Sequence, residues 1–380
     1  MPSETDRELA LAVRGWAREL APKIADAERA GTLPREVIRG LGELGVLGMT
    51  TPERDGGLGA STVAFALVLE ELAAAWPSLA VGVSVNSGIV AGSIVRYGTA
   101  AQRARWLPAL RDGSGLGAFA LTEPSSGSDA ASLRAAAVRD GDGWRITGQK
   151  QFITNARYAP LFIVLARVGE RESGRPHAGI TAFLVPSDAP GLSIGPPEPK
   201  TGLLASDTSA LVLDGARVGP DAVLGEVGKG FGIAMAGLDG GRIGIAAQSV
   251  GIARAAIERA IRYGRGREQF GASILSFEMV RFALARARVE VDAARLLAHR
   301  AAWLRDAGRP FTREASMAKL FASEAAQRVT YDAVQVFGGY GFMRDYEIER
   351  YARDARATTI YEGTSEVQRL VIARSLLSAA

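Results

Sequence analysis

The spacing of apolar residues predicts helices in the first third of the chain. Leu9, Val13, Trp16 and Leu20 recur at intervals of three and four, which places them on one helical face. Further helices are predicted over residues 34–47, 62–75 and 87–97. Residues 1–115 are therefore expected to form a helical domain.

Short apolar segments broken by Gly, Pro and Asp begin near residue 113. They predict β-strands over residues 144–147, 152–154, 161–166, 180–185 and 210–213. The third and fourth of these strands flank the polar segment GERESGRPHAG, which is the arrangement of a long hairpin. Residues 116–225 are therefore expected to form a small β barrel or sandwich.

From residue 226 to residue 380 the pattern is helical again. Apolar residues alternate at spacings of four and three at Val280, Leu284, Ala287, Val291, Ala294, Ala298 and Ala301, and again at Ala322, Ala325, Val329, Ala333 and Val336. Such seams pack helices nearly antiparallel in a bundle, and surplus apolar stripes suit burial between subunits. The fold class predicted from the three parts together is α+β.

One acidic residue lies in a turn directly before the last predicted helix. Ser365 and Gln368 have the spacing of a capping box, so a helix is expected to begin near Ser365. The positive end of its dipole then faces the preceding turn, which contains Glu362. From this turn alone, Glu362 is either a carboxylate with a chemical role or an acid that only balances the helix dipole.

The composition narrows the chemistry. The chain has no cysteine, which excludes disulfides, thiolate nucleophiles and cysteine-bound metals. Its only histidines are His177, in a polar loop, and His299, in a helical segment, so catalytic triads and histidine metal centres are not expected, and no metal is predicted. Carboxylate, hydroxyl, backbone and an organic cofactor remain.

The charge is modest and spread along the chain. The formal net charge is +4, and arginines alternate with acids along the helices. This balance suits phosphate-bearing small molecules as well as nucleic acid. No signal peptide and no segment long and apolar enough to span a bilayer is expected, so the predicted compartment is the cytoplasm, without membrane attachment. Neither a P-loop nor a Rossmann glycine motif is present in its required context.

Four segments in order resemble one family. They are FALTEPSSGSD at residues 119–129, FITNA at 152–156, REQFG at 267–271 with QVFGGYGF at 335–342, and IYEGTSEVQRL at 360–370. Together they are similar to the FAD-dependent acyl-CoA dehydrogenases, and LDGGRIGIAAQ at 238–248 looks most like the short-chain, butyryl-CoA branch. The resemblance covers nearly the whole chain. It implies an N-terminal helical domain, a middle β-barrel domain and a C-terminal four-helix bundle.

The resemblance also implies a set of FAD contacts. It assigns the flavin ring and the loop over it to Phe119, Leu121, Thr122, Gly127, Ser128, Phe152, Ile153 and Thr154. It assigns the FAD of a neighbouring subunit to Arg267, Phe270, Gln335, Val336, Phe337, Gly338 and Gly339, and the phosphate and adenosine end to Thr364 and Glu366. Gly338 and Gly339 also fit a plain helix C-cap. Many relatives have Trp in place of Phe152, and they usually have Gln in place of Glu278, so Glu278 is left outside the site.

The positions around the CoA thioester match Ser128, Asp239, Arg242, Tyr361 and Gly363. Arg242 fits equally a buried ion pair with Asp239. Glu362 matches the catalytic base, and Gly241 occupies the position from which other branches of the family supply that base. The implied reaction forms a trans-2-enoyl-CoA: Glu362 removes the α-proton while the β-carbon gives hydride to the flavin. An electron-transfer flavoprotein as acceptor and a homotetramer are implied as well.

Three other functions stay open from the sequence. The same dehydrogenation could act on an acyl group attached to a carrier protein, or the fold could support an oxygen-using oxidase or hydroxylase. A flavin-containing nucleic-acid binder is compatible with the basic isoelectric point of about 9.5. No basic block and no aromatic–basic stretch favours it, so nucleic acid is not predicted as a partner.

Overall fold

The N-terminal part of the computed structural model, which describes residues 2–377, is helical as predicted. Its helices are α1 (Glu4–Glu19), α2 (Ala21–Ala30), α3 (Arg35–Glu43), α4 (Thr62–Ala75), α5 (Pro77–Val83), α6 (Gly92–Tyr97) and α7 (Ala100–Arg111). Helix α4 has the predicted bounds. The sequence pattern does not predict α7, because Arg, Gln and Ala replace a regular apolar face, although a capping box of Thr99 and Gln102 starts it.

A π-helical segment, Ser84–Ala91, joins α5 to α6 without a break. The resulting stretch Pro77–Tyr97 is long and apolar enough to cross a bilayer, so the expectation that no segment meets this criterion is wrong. The sequence pattern does not predict this stretch as a whole, because serines, glycines and an asparagine interrupt its apolar residues. Within the fold 89% of its most apolar window is buried, as in the interior helix of a folded domain.

The middle part is a single eight-stranded sheet. Its strands are β1 (Ala118–Ala120), β2 (Ala136–Asp140), β3 (Gly143–Thr154), β4 (Leu161–Val168), β5 (Ile180–Pro186), β6 (Leu192–Pro197), β7 (Thr208–Val218) and β8 (Val223–Leu224). The strand order is β6-β7-β3-β2-β4-β5-β8, and β1 pairs in parallel with β4. The predicted hairpin is confirmed, since β4 and β5 pair antiparallel from Leu161 opposite Pro186 to Arg167 opposite Ile180.

Two predicted strands, 144–147 and 152–154, are the two ends of β3. Register shifts against β7 interrupt β3 between Ile146 and Gly148 and between Lys150 and Ile153. The second irregularity contains Phe152, whose φ is +59°. A bulge of this kind redirects a side chain without ending the strand.

The C-terminal part begins with α8 (Gly230–Gly266), continues through a short hairpin of β9 (Glu268–Gln269) and β10 (Ala272–Ser273), and then contains α9 (Glu278–Asp306), α10 (Thr312–Phe337), α11 (Ile348–Thr358) and α12 (Ser365–Leu377). The predicted seams are buried from Ala287 onwards in α9 and from Ala322 to Ala333 in α10. Helix α8 packs against both α10 and α4.

The first and last parts share one hydrophobic core, which α8 joins by packing against both. The sheet has a core of its own, built on residues such as Trp144, Phe162 and Phe183. A third cluster, which includes Leu121, Leu161 and Ile233, lies where the sheet meets the helices. The fold is therefore helical, sheet and helical in sequence, as predicted, with two helical parts that bury a common face.

Candidate active site

The turn between α11 and α12 has an unusual backbone that side chains from elsewhere hold in place. Glu362 has φ +52° and Gly363 has φ +91°. The amide of Gln368 donates to the carbonyls of Glu362 (3.2 Å) and Gly363 (2.9 Å). Lys319, from α10, also donates to the Gly363 carbonyl, at 2.7 Å. The backbone carbonyls of Glu362 and Gly363 therefore both accept hydrogen bonds from side chains that hold the turn in place.

The predicted helix start near Ser365 is confirmed, but the predicted capping box of Ser365 and Gln368 is wrong, because the capping residue is Thr364. Ser365 is the first helical residue, and the hydroxyl of Thr364 accepts the N–H of Val367 at 3.4 Å. The hydroxyl of Ser365 is buried without a partner among residues 2–377. The left-handed conformations at Glu362 and Gly363 bring Thr364 to the cap, and Gln368 turns back to the carbonyls of the turn.

Both carboxylate oxygens of Glu362 are buried and have no hydrogen-bond partner in the described part of the chain. Burial raises the pKa of this carboxyl from 4.5 to about 7, and the positive charges of Lys319 and Arg242 oppose that rise. An acid that only balanced the helix dipole would have its oxygens near the helix N–H groups or in water. The oxygens of Glu362 are in neither place, so both can still accept hydrogen bonds from another group.

Gly241 makes room for this carboxylate. A Cβ atom at position 241 would lie 1.9 Å from Oε2 and 2.7 Å from Cδ of Glu362. No side chain larger than hydrogen fits there while the carboxylate keeps its place. The correspondence between positions 241 and 362, which the sequence suggested, is thus a direct contact in the fold.

Asp239 and Arg242 form an ion pair of 2.6 Å, one helical turn apart on α8. The hydroxyl of Thr312 donates to Asp239 at 2.5 Å, and Arg242 also donates to Ser316 at 3.3 Å. The Nε of Arg242 is buried and has no partner within residues 2–377. The structural alternative for Arg242 is therefore present in the fold, and its contact with substrate stays a prediction.

Tyr361 is turned away from the carboxylate of its neighbour, since its hydroxyl donates to Oε1 of Gln248 at 2.5 Å. Burial raises the pKa of this hydroxyl well above its ordinary value. Tyr361 is therefore a fixed neutral wall of the turn.

The loop after β1 lies against β3, with its backbone held at two points. The N–H of Gln151 donates to the carbonyl of Thr122 at 2.9 Å. Lys150, fully buried, donates to the carbonyl of Leu121 at 3.1 Å and to Glu123 at 2.8 Å. Among the other predicted flavin residues of this loop, Phe119 is half-buried, and Gly127 and Ser128 are exposed.

Phe152 is next to this loop in the sheet and is 62% exposed, whereas Ile153 is packed into the core of the sheet. Thr154 is half-buried. The structure thus brings Phe119, Leu121 and Thr122 to the edge of the strand that contains Phe152. The side chain of Ile153 is buried, so its contact with a cofactor stays a prediction.

A second cluster contains the residues assigned to a neighbouring subunit's FAD. Arg267 and residues 335–339 line a cavity of about 530 Å³ together with Tyr263 and Tyr340. Gly338 ends α10 with φ +59°, so the C-cap interpretation is correct as far as it goes. A Cβ atom at Gly338 or Gly339 would meet open space. No hydrogen bond, ion pair or ring contact in residues 2–377 joins this cluster to Glu362.

Members of this cluster differ in exposure. Phe337 is buried and stacks on Tyr263 with ring centroids 4.1 Å apart, so its side chain supports the cavity wall. Gln335 is exposed and Val336 half-buried. Phe270 is 96% exposed at φ +53°. Thr364 and Glu366 lie apart from the cluster, at the start of α12.

Left-handed backbone at residues other than glycine is concentrated at predicted site positions. The described chain has five such residues: Phe152, Asn155, Leu203, Phe270 and Glu362. Three of them were singled out from sequence as cofactor or catalytic residues. Each such conformation costs on the order of 1–3 kcal/mol, and strain of this kind clusters at functional sites.

Sequence reasoning missed four residues that support these positions, namely Lys319, Gln248, Lys150 and Glu123, and it gave Gln368 a capping role in place of its contacts with the turn carbonyls. One signal was available: Lys319 lies among the buried alanines Ala315, Ala318 and Ala322 of α10, where a charged residue is out of pattern.

Comparison with known proteins agrees with the three-part architecture. Family models described as the N-terminal, middle and C-terminal domains of acyl-CoA dehydrogenase match residues 3–114, 118–216 and 228–377. The mitochondrial short-chain specific acyl-CoA dehydrogenase of Mus musculus is 43% identical over 375 residues, which cover 98% of this chain and 90% of the relative.

Two solved structures are similar over 99% of both chains, each with 39% sequence identity. One is the butyryl-CoA dehydrogenase of Megasphaera elsdenii, with a TM-score of 0.95. The other, with a TM-score of 0.96, comes from the work on the electron transferring flavoprotein of Acidaminococcus fermentans and flavin-based electron bifurcation. The resemblance seen in the sequence is confirmed, and the chain is an oxidoreductase that belongs to the acyl-CoA dehydrogenase family.

Proposed function

We propose that the protein catalyses the FAD-dependent α,β-dehydrogenation of a short-chain acyl-CoA, with Glu362 as the base. The observation on which this rests is the buried, unpartnered carboxylate of Glu362 in its space beside Gly241. The short-chain and butyryl-CoA dehydrogenases among its relatives support the choice of acyl group.

The residues present fit FAD. Phe152 offers an exposed aromatic face beside the Leu121–Thr122 backbone, a suitable surface for a flat ring system. Arg267 beside Gly338 and Gly339 offers fixed donors and close backbone approach, which a pyrophosphate requires. FAD, when bound, would supply the acceptor for the hydride that leaves the β-carbon of the substrate.

Glu362 is suited to take the α-proton. A carboxylate with a pKa near its ordinary value is a weak base, and burial brings the pKa of Glu362 to about 7. The backbone N–H of Glu362 makes no hydrogen bond within residues 2–377. It is therefore available to a thioester oxygen, whose negative charge must be stabilised as the proton leaves.

A basic cavity next to Asp239 fits the phosphate-bearing part of CoA. The cavity has a volume of about 640 Å³ and is lined by Asp239, Thr312, Arg96, Arg305 and Arg309. Arg305 is half-buried, and no ion pair neutralises it in the described chain. A cationic cavity of this kind favours acyl-CoA, whose CoA part carries several phosphate charges, over a carrier-bound acyl group, whose pantetheine arm carries a single phosphodiester.

We extend the proposal to a homotetramer that passes electrons to an electron-transfer flavoprotein. No hydrogen bond, ion pair or ring contact within residues 2–377 joins the cluster of Arg267 and residues 335–339 to Glu362, as expected if the cluster serves a neighbouring subunit's cofactor. An exposed apolar stripe on α9 is the surface available for association: Met279, Phe282, Val289, Leu296 and Trp303. Sedimentation equilibrium of the FAD-bound protein tests this, and a monomer that holds FAD fully would exclude it.

The test of the proposed chemistry is an anaerobic titration of the FAD-bound protein with butyryl-CoA, followed by its visible spectrum. We expect the oxidised flavin band to bleach. The Glu362→Gln variant is expected to bind FAD and butyryl-CoA but to bleach about 10³-fold more slowly. A spectrum that shifts without bleaching would point to another acyl group or a carrier-bound substrate. A protein that binds no FAD after reconstitution would contradict the proposal.

A further inference from the structure

Lys319 is a fully buried lysine in the middle of α10. Its ammonium group donates to one acceptor, the carbonyl of Gly363, at 2.7 Å. It makes no ion pair with any carboxylate in the described chain. Taking an ammonium group out of water is costly unless it is paired, so a side chain in this state calls for an explanation.

The surroundings of Lys319 direct its charge towards Glu362. The neighbours Ala315, Ala318 and Ala322 are buried and apolar, and Glu324, the acid of α10 that influences Lys319, is paired with Arg369. Burial lowers the pKa of Lys319 to about 8, and the negative charge of Glu362 is the largest influence opposing that change. Lys319 is in turn the largest opposing influence on Glu362.

The other charged groups that influence Glu362 or Lys319 have ion-pair partners of their own. From α8, Arg242 is paired with Asp239 at 2.6 Å. From α10 and α12, Glu324 and Glu366 both contact Arg369, at 2.5 Å and 3.3 Å. The adjacent Tyr361 is neutral and bonded to Gln248. Glu362 is thus the carboxylate with the largest influence on the ammonium group of Lys319, and it has no ion pair of its own in the described chain, whereas Glu324 and Glu366 are paired with Arg369.

We propose that Lys319 is a positioning residue for Glu362: its ammonium group fixes the turn at Gly363 and supplies the charge that lets the buried carboxylate ionise. The inference rests on the proposed role of Glu362 as base. It assigns to Lys319 no contact with substrate. The expected signature is a change in how the reaction depends on pH, which loss of a merely structural contact would not produce.

Two substitutions separate charge from hydrogen bonding. Lys319→Met removes both, and Lys319→Gln removes the charge but keeps a donor for the Gly363 carbonyl. Gln368 still donates to that carbonyl in each variant, so the turn keeps one support. Lys200→Met is the control, because Lys200, although less deeply buried than Lys319, likewise donates to a backbone carbonyl, that of Ser206 at 2.8 Å. Neither Glu362 nor Arg242 is among the charges that influence the pKa of Lys200.

The measurement is the second-order rate constant of flavin reduction by subsaturating butyryl-CoA from about pH 6 to pH 9, since this constant reports ionisations of the free protein. Loss of an opposite charge near a carboxyl raises its pKa by about one unit or more. We therefore expect both Lys319 variants to be about tenfold slower than the parent near pH 6.5 and to approach it above about pH 9. Lys200→Met is expected to keep the parental pH dependence.

A second readout does not use turnover. Below about pH 8 the parent contains a charged, buried Lys319, so Lys319→Met is expected to unfold at the same or a higher temperature there. Rates lowered by one constant factor at every pH, or unchanged, would overturn the proposal. A Glu362→Gln variant that reduces the flavin at the parental rate would instead overturn the proposed function, so the two failures are distinguishable.

Discussion

Two lysines among residues 2–377 are fully buried, Lys150 in the sheet and Lys319 in the C-terminal helices, and they differ in their partners. Burial lowers the pKa of both from 10.5 to about 8. Lys150 meets the carboxylate of Glu123 at 2.8 Å. Within the described chain Lys319 donates only to a carbonyl, and Glu362, the carboxylate whose charge it influences, accepts no hydrogen bond there.

The difference separates a buried carboxylate whose hydrogen-bond partners are all within the protein from one that can still bind a ligand. Glu123 also accepts the N–H groups of Arg134 at 2.6 Å and Ala135 at 2.9 Å, so its network is satisfied and ties the loop after β1 to β3. Buried networks of this kind stabilise when complete and destabilise when one member is removed. The network at Glu362 is incomplete in the protein alone, as expected where a substrate supplies the missing partner.

The largest expected effect is on the complete network. Lys150→Met leaves the buried Glu123 without its cation, which should lower the apparent free energy of unfolding by about 3–5 kcal/mol. Lys319→Met is the control, matched in residue type and burial, and should change it by about 1 kcal/mol or less, since no ion pair is broken. Urea unfolding followed by circular dichroism measures both. Equal losses would mean that both lysines are structural and would remove the distinction drawn above.

The incomplete network should make the protein less stable as Glu362 ionises. The folded-state pKa of about 7 exceeds the ordinary value of 4.5, so the folded protein holds its proton more tightly than the unfolded chain. Stability is therefore lost as the pH rises from about 4.5, and the loss is complete above about 7.

Glu362→Gln should remove this loss. Its advantage in unfolding free energy over the parent should be near zero below about pH 4.5 and on the order of 3 kcal/mol at pH 8. Thermal unfolding of both proteins across that range measures it. A constant difference at every pH would show that the carboxyl does not titrate abnormally in the fold.

Much of the fold could be predicted from the sequence because the patterns that carry it are local. The apolar helix Thr62–Ala75 and the hairpin of β4 and β5 have the predicted positions. Helix α7 and strands β1, β2, β6 and β8 were not predicted, since α7 has no regular apolar face and the strands are short or partly exposed. Their conformation depends on partners in the sheet and the neighbouring helices.

The candidate site was predictable only where a motif is continuous in the chain. Glu362 and Gly241 could be named from the family resemblance, although the contact between them needed the fold. Lys319 is out of pattern among the alanines of α10, but its link to the turn could not be predicted, because the two positions are 44 residues apart and no spacing rule connects them. The cap was predicted one residue too late, because the left-handed backbone at Glu362 and Gly363 brings Thr364 to the capping position. The sequence does not indicate a left-handed conformation at a residue such as Glu362, which is not glycine.

Gly241→Ala tests whether the space beside Gly241 keeps the Glu362 carboxylate in its position without a hydrogen-bond partner. The added methyl group would overlap the end of a flexible side chain, so the fold should survive while the carboxylate is displaced. A displacement of this size should slow flavin reduction by butyryl-CoA by about 10²-fold. Ala substitution at Gly232, where a Cβ meets open space, is the control. A Gly241→Ala rate near the parental one would mean that the carboxylate acts from another position.

The smallest expected effect decides how the turn at Glu362 is supported from its own helix. The hydroxyl of Thr364 accepts the N–H of Val367 at a long 3.4 Å, so Thr364→Ala should lower the free energy of unfolding by about 1 kcal/mol or less. Ser365→Ala is the matched control. A capping box at Ser365 would make this change the more damaging of the two, whereas the buried, unpartnered hydroxyl of Ser365 predicts no loss or a small gain. If Ser365→Ala lowers the free energy of unfolding in urea more than Thr364→Ala does, Ser365 is the capping residue and the helix begins at Glu366. Lys319 and Gln368 are then less important to the turn than the cap.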